Sequence, residues 1–184
     1  TELCGKINLS VWGAYTQLYL AETYFEMGDF TKSKESYEKC IRFLEDVNLL
    51  KSVVWLSKTG IARSMIMDRG GVVNLELLNT YAENNRLKFL EGSIAFYIGE
   101  ILLNLDGPNM SKAEQWILKA IDADQKNGTI FRLGKDYVLY ATLLKRKGAN
   151  QKAKEYFGKG IDIFKECGAE GWVEKYEKKL SSLS

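Results

Sequence analysis

The sequence has no histidine, and that absence alone removes the commonest general base, the Ser–His and Cys–His nucleophile pairs and the commonest metal ligand. Proline occurs once, at Pro108, so the composition permits long uninterrupted helices. Cysteine is scarce as well. Cys4, Cys40 and Cys167 are odd in number and far apart, which suits small apolar packing in a reducing compartment better than a disulfide framework. A cytoplasmic location is the expectation. Charge of one sign is missing too: 26 Lys and Arg stand against 24 Asp and Glu, a formal net charge of +2. So weak a field does not gather nucleic acid over a surface, and a nucleic-acid partner is not expected. Nor does any apolar run reach the ~20 residues that cross a bilayer; the greasiest stretch, Ile94 to Leu105, is broken at Glu100. No membrane partner is expected. The opening residues Thr1-Glu2-Leu3-Cys4-Gly5-Lys6 lack an initiator Met and the charged-then-apolar pattern of a signal peptide, so the chain reads as a piece of a longer polypeptide. Lys6 stands beside Gly5 without the rest of a phosphate-binding loop.

What is present is repetition. The segment from Leu20 to Phe30 aligns with that from Tyr140 to Asn150, each carrying a mid-segment alanine, Ala21 or Ala141, and a glycine seven residues later, Gly28 or Gly148. The segments that follow also superimpose: Ser33, Tyr37, Cys40 and Ile41 match Ala153, Phe157, Gly160 and Ile161. A third copy reads Ala113, Ile117, Ala120 and Ile121, and a degenerate one runs Asn74, Leu78 and Tyr81. Ser33, Asn74, Ala113 and Ala153 are thus 41, 39 and 40 residues apart. A period of ~40 residues divides into two helices of ~16–18 residues and two turns.

The pattern predicts helices over about 9–27, 31–47, 50–69, 73–85, 87–105, 111–126, 130–147, 150–167 and 170–182. They pair into repeats of about 9–47, 50–85, 87–126 and 130–167 with a capping helix over 170–182, all in one domain spanning 1–184. Gly28, Gly128, Gly148 and Gly168 each follow an apolar-periodic run, where left-handed caps favour glycine. Ser111 with Glu114 reads as a capping box after the turn Asp106-Gly107-Pro108-Asn109. The segment Arg69-Gly70-Gly71-Val72-Val73 is the loosest. Ala21, Gly99, Ala113, Ala120, Ala141, Ala153 and Gly160 are expected where helices cross, with Tyr24, Tyr37, Trp116 and Phe157 filling the holes beside them. The fold class is all-α: antiparallel helix pairs stacked into a right-handed superhelix.

These residues resemble the tetratricopeptide-repeat family in its longer-helix variety. The stretch from Arg132 to Gly148, continuing through Phe164-Lys165-Glu166-Cys167-Gly168-Ala169-Glu170-Gly171-Trp172, is similar to C-terminal repeats of large bacterial signalling proteins that join nucleotide-cyclase or kinase domains to an ATPase. The resemblance implies a sensory or scaffolding tail that binds a protein or peptide, or other domains of its own polypeptide, on a concave face lined by the first helix of each repeat. One variant of the family grips a peptide C-terminus with Lys and Asn on that face. Here the corresponding positions are Tyr15, Leu18, Tyr19, Glu22, Tyr97, Glu100, Lys135, Val138 and Thr142, which make no such clamp.

The candidate partner-binding residues are therefore Tyr15, Tyr19, Glu22, Arg63, Tyr97, Glu100 and Lys135, a mixture of apolar anchors and orienting charges. The aromatics Tyr15, Tyr19, Phe25, Phe96 and Tyr97 form either a groove for a partner helix or the packing between repeats. The basic run Lys145, Arg146, Lys147, Lys152 and Lys154 offers an anion site, or a solvated turn with cations near a helix C-terminus. For catalysis there is no constellation: Asp122 and Asp124 face different ways, and Glu22 and Glu26 share a face without a base or phosphate loop. No catalytic residue, metal ligand or cofactor is assigned, and the chain is not expected to be an enzyme. The expected function is a non-catalytic interaction scaffold or regulatory module; the alternative is a small-ligand-binding or nucleic-acid-associated domain of a transcription regulator. A homodimer is compatible with either.

Overall fold

A computed structural model describes residues 2–68, 71–105 and 109–182, with side chains from residue 9 onward. Cys4, Lys6, Arg69, Gly70 and the turn residues Asp106, Gly107 and Pro108 are thus sequence features whose side chains lie outside the described residues. Every regular element among the described residues is an α-helix: α1 (Glu2–Glu26), α2 (Phe30–Glu45), α3 (Lys51–Met67), α4 (Leu75–Asn84), α5 (Lys88–Asn104), α6 (Met110–Asn127), α7 (Ile130–Arg146), α8 (Asn150–Glu166) and α9 (Glu170–Ser181). The chain divides into two compact units, Thr1–Leu90 and Glu91–Ser184.

The turns share one chemistry. Gly28, Gly128, Gly148 and Gly168 all hold positive φ, between +66° and +80°. In each case the next residue's N–H closes back on a carbonyl five residues earlier: Asp29 on Tyr24 at 2.9 Å, Thr129 on Asp124 at 3.0 Å, Ala149 on Leu144 at 3.0 Å, and Ala169 on Phe164 at 2.8 Å. This is the Schellman closure, which needs a left-handed residue and so glycine. Asp29 then serves the following helix at once, its carboxylate accepting from the Lys32 N–H at 3.1 Å.

In the first unit, α1 packs on α2, α2 on α3 and α3 on α4. Ala14, Leu18, Ala21 and Phe25 of α1 and Tyr37, Cys40, Ile41 and Leu44 of α2 are buried. Gly60 of α3 has no room for a Cβ because the Tyr37 ring lies against it. Ser57 donates to the Cys40 Sγ at 3.4 Å, and the Ser33 and Ser64 hydroxyls meet at 3.1 Å. Burial pushes the Cys40 thiol pKa up, with the Ser57 hydrogen bond opposing it. The degenerate copy departs from the others here. Asn74 is not a buried crossing residue like Ser33 but the exposed N-cap of α4, accepting from the Leu77 N–H at 3.1 Å.

In the second unit the small residues stand at crossings. Ala113, Ala120, Ala141 and Ala153 are wholly buried; a Cβ on Gly99 would come within 2.8 Å of Ile117 Cγ1, and one on Gly160 would strike Val138. The last three helices share a core of Val138, Ala141, Phe157, Ile161, Phe164 and Tyr176 with Trp172, Val173 and Leu180 packed against it. Phe164 and Tyr176 stack at 5.7 Å and 19°. The capping-box expectation at Ser111 does not hold, because α6 already begins at Met110 and places Ser111 inside the helix. Glu114 instead pairs with Lys147 at 2.5 Å and accepts from the Tyr140 hydroxyl at 3.3 Å.

Candidate functional site

The candidate residues fall into the two units, and each group has its own geometry. In the first unit, two of them come together. Arg63, on α3, is 1% exposed, lays its guanidinium 3.4 Å from the Phe25 ring centroid and sends Nη1 to within 3.8 Å of Glu22 Oε2. The Tyr37 hydroxyl donates to the other carboxylate oxygen, Glu22 Oε1. Three helices are thus joined by one acid, one cation, one phenol and one ring. A buried guanidinium needs such a set, since its charge is costly to bury unless paired and hydrogen-bonded. The sequence reading put Arg63 on a partner face; the structure puts it in the interior. Tyr15 is half-buried, and Tyr19 is 66% exposed.

In the second unit Lys135 of α7 is half-buried with its ammonium 5.5 Å from the Phe96 centroid and 5.2 Å from that of Trp172. The rings come from α5 and α9, so three helices converge on one cation. Lys175 continues the arrangement, 4.8 Å from Trp172 and 5.6 Å from Tyr176, and Phe131 meets Trp172 edge to face at 5.5 Å. Such cation–ring contacts contribute about 0.5–1 kcal/mol at exposed sites. They also hold a flexible lysine in one place. Glu100 is half-buried on α5. Tyr97 is only 4% exposed and packs edge to face on Phe96, itself buried, so neither ring is open to a partner; Trp172 is half-buried.

The basic turn is partly spent inside the unit. Arg146 donates to the Leu103 carbonyl and, at 2.9 Å, to Asn104 Oδ1, capping the end of α5. Lys147 is held by Glu114.

A pair the sequence reading passed over is the most unusual chemistry in the chain. Asp124 of α6 and Asp136 of α7 are both buried, at 0% and 1% exposure, and face one another. Thr129 Oγ1 donates to Asp124 Oδ1 at 2.6 Å, but among the described residues no N–H or O–H reaches either oxygen of Asp136. Two facing carboxyls in such a place are accommodated when one of them keeps its proton. Burial, reinforced by the Asp124 charge, pushes Asp136 up to about 9, while Lys135 and Arg132 pull weakly the other way. Burial raises Asp124 too, opposed by the Thr129 hydrogen bond. Gly92 of α5 closes over Asp124 with no space for a Cβ. The signal was available: Ala113, Ile117, Ala120 and Asp124 follow the 4-3-4 spacing of a buried stripe. Among the described residues no three His, Cys, Asp or Glu side chains gather as a metal site would, and no helix is long and apolar enough to cross a membrane.

Comparison with known proteins gives three findings. The sequence profile of the tetratricopeptide repeat matches residues 16–43, the hairpin of α1 and α2. No curated protein matches the chain. Nine chains of solved structures do. Among these is a signal transduction ATPase with numerous domains, carrying a tetratricopeptide-repeat sensor, from Pyrococcus horikoshii. It is 18% identical with a TM-score of 0.56 over 92% of this chain. The chain spans 25% of that protein's length.

Proposed function

We propose that this chain, which carries a tetratricopeptide repeat and folds as tetratricopeptide-type helical hairpins, is a non-catalytic protein-interaction module of a multidomain signalling protein. Repeats of this kind generally mediate protein–protein contact; the bacterial, cytoplasmic setting and the regulatory role belong to our reading. The observation that carries it is Lys135, held between Phe96 and Trp172 on α5, α7 and α9. With the buried Phe96 ring behind it and the half-buried Trp172 ring beside it, the ammonium offers a partner one aromatic edge and one oriented charge, the mixture that anchors interfaces. Within the second unit Glu100 would extend the face and Tyr97 would hold it from beneath; in the first unit Tyr15 and Tyr19 would make a contact of their own, held by Glu22 and Arg63.

The test begins with a pull-down on the tagged chain, partners being identified by mass spectrometry, and continues with calorimetric titration of the identified partner. Lys135→Glu with Trp172→Ala should weaken binding by about tenfold or more while circular dichroism stays unchanged. Unchanged affinity in a folded double variant would sink the reading. Salt separates the alternative ligands, because a phosphate-bearing ligand on Lys145, Lys152 and Lys154 would lose affinity steeply with ionic strength. The engagement of Arg146 and Lys147 inside the unit favours the protein partner. Purified chain should turn over no nucleotide; turnover abolished by a point mutation in this chain would show that it is an enzyme.

A further inference from the structure

Four turns of the chain close in the same way, and one of them is built on an acid. Asp29, Thr129, Ala149 and Ala169 each return their N–H to a carbonyl five residues back, and the glycine before each donates to the third residue before itself. That glycine bond is 3.0 Å for Gly28 and Gly148 and 3.1 Å for Gly168, but 3.4 Å for Gly128. The carbonyl that takes the five-residue closure belongs to Tyr24, Leu144 and Phe164 at three of the turns and to Asp124 at the fourth. The α6–α7 turn is therefore the loosest of the four and the one anchored on a carboxyl-bearing residue.

Asp124 stands in the last turn of α6, where the unpaired carbonyls of a helix end already gather negative charge. Its Oδ1 and its carbonyl both take the Thr129 hydroxyl, at 2.6 and 3.2 Å. A hydroxyl at the N-cap position of α7 is thus turned back on α6 and gives α7 no side-chain cap. Asp124 Oδ2 and both oxygens of Asp136 are buried without a hydrogen bond among the described residues. The other charges that act on the pair come from α7: Arg132 acts on both carboxyls and Lys135 on Asp136 alone, while α5 brings Gly92, which has no side chain. With a proton present the pair carries one negative charge. Without it two like charges stand in a dry crossing, and the nearest way to water is the turn at Gly128.

We propose that the carboxyl pair is a proton-controlled latch on the α6–α7 turn: while Asp136 holds its proton the end of α6 stays wound, and when the proton leaves, the segment from Asp124 to Gly128 unwinds and carries Asp124 into water. The rest of the unit stays folded. Opening gives up the Gly128 and Thr129 closures, a small cost beside two facing buried charges, and frees the Thr129 hydroxyl to cap α7. Burial holds Asp136 up to about 9 in the closed turn, whereas an opened, hydrated carboxyl returns towards its ordinary range, so the closed form binds the proton more tightly. Opening is therefore opposed at low pH and becomes easier as pH rises towards about 9. This is a local transition, distinct from unfolding of the chain, and it is independent of the face proposed around Lys135.

Amide hydrogen exchange of the whole chain, followed by NMR between about pH 6.5 and about 8.5 and corrected for the intrinsic pH dependence of exchange, tests it. Protection of the Thr129 amide should fall by about tenfold per pH unit. The amides of Asp29, Ala149 and Ala169, which close the same kind of turn without the acid pair, should keep theirs. In Asp136→Asn the Thr129 amide should be equally protected at both ends of the range. Should that variant fail to fold, the comparison of the four turns in the parent chain decides alone. Equal loss at all four turns would mean that the chain opens as a whole, constant protection at Thr129 that no proton holds the turn, and a fall that persists in folded Asp136→Asn that another group controls it; each overturns the proposal.

Discussion

The two units bury charge at helix crossings in opposite ways. In the first, Arg63 is neutralised by an acid of the other sign, Glu22, and by a phenol that occupies the second carboxylate oxygen. In the second, Asp124 and Asp136 have the same sign and depend on a proton. The first solution holds at any pH where carboxylates are ionised. The second holds only while the proton stays. Helix crossings within one chain can thus carry unrelated electrostatics, provided each buried group finds a partner.

The comparison breaks most severely at Arg63. Arg63→Ala should cost about 3–5 kcal/mol, because Glu22 loses its counter-charge and the Phe25 ring its cover; urea denaturation followed by circular dichroism measures it. In the second unit, Ala141→Leu should overpack the α7–α8 crossing and cost about 1–3 kcal/mol. An unchanged melting temperature would contradict the burial of that alanine.

The acid pair is expected to change sign with substitution. Below about pH 4 Asp136 is protonated in both folded and unfolded chains. Between there and about 9 only the folded chain keeps the proton, so stability falls continuously as pH rises through that window. Asp136→Asn, which can still donate to Asp124, should therefore be more stable than the parent by about 1–3 kcal/mol at pH 8 and nearly equal to it at pH 4. Melting curves at the two pH values check this, and a variant destabilised at both would mean that the shared proton does not exist. The smallest effect is expected at the surface. Lys126 and Asp122 lie 2.7 Å apart in solvent, side chains 73% and 63% exposed, so Lys126→Ala should shift neither melting curve measurably.

The helices were legible in the sequence because their markers are local. Alanine or glycine at a crossing recurs at a fixed spacing, and a glycine after an apolar run needs only its own φ to end a helix. The environment of a polar residue is not local. Nothing near Arg63 in the sequence names Glu22, and Asp124 sits on a buried spacing that its charge disguises. The aromatics show the same limit: Tyr19 and Tyr97 stand on similarly apolar helices, yet one is exposed and the other buried. Which side of an all-round apolar helix is covered depends on its neighbours and not on its own period.

Cys40 gives the first unit a reporter of its own. Its thiol is buried, hydrogen-bonded by Ser57 and pushed up in pKa, so an alkylating reagent reaches it only when the helices around it part. Cys167 is exposed at the turn between α8 and α9 and reacts without any such opening. Their ratio of modification rates therefore counts how often the first unit breathes. Arg63→Ala should raise the rate at Cys40 and leave Cys167 unchanged, whereas Asp136→Asn should move neither.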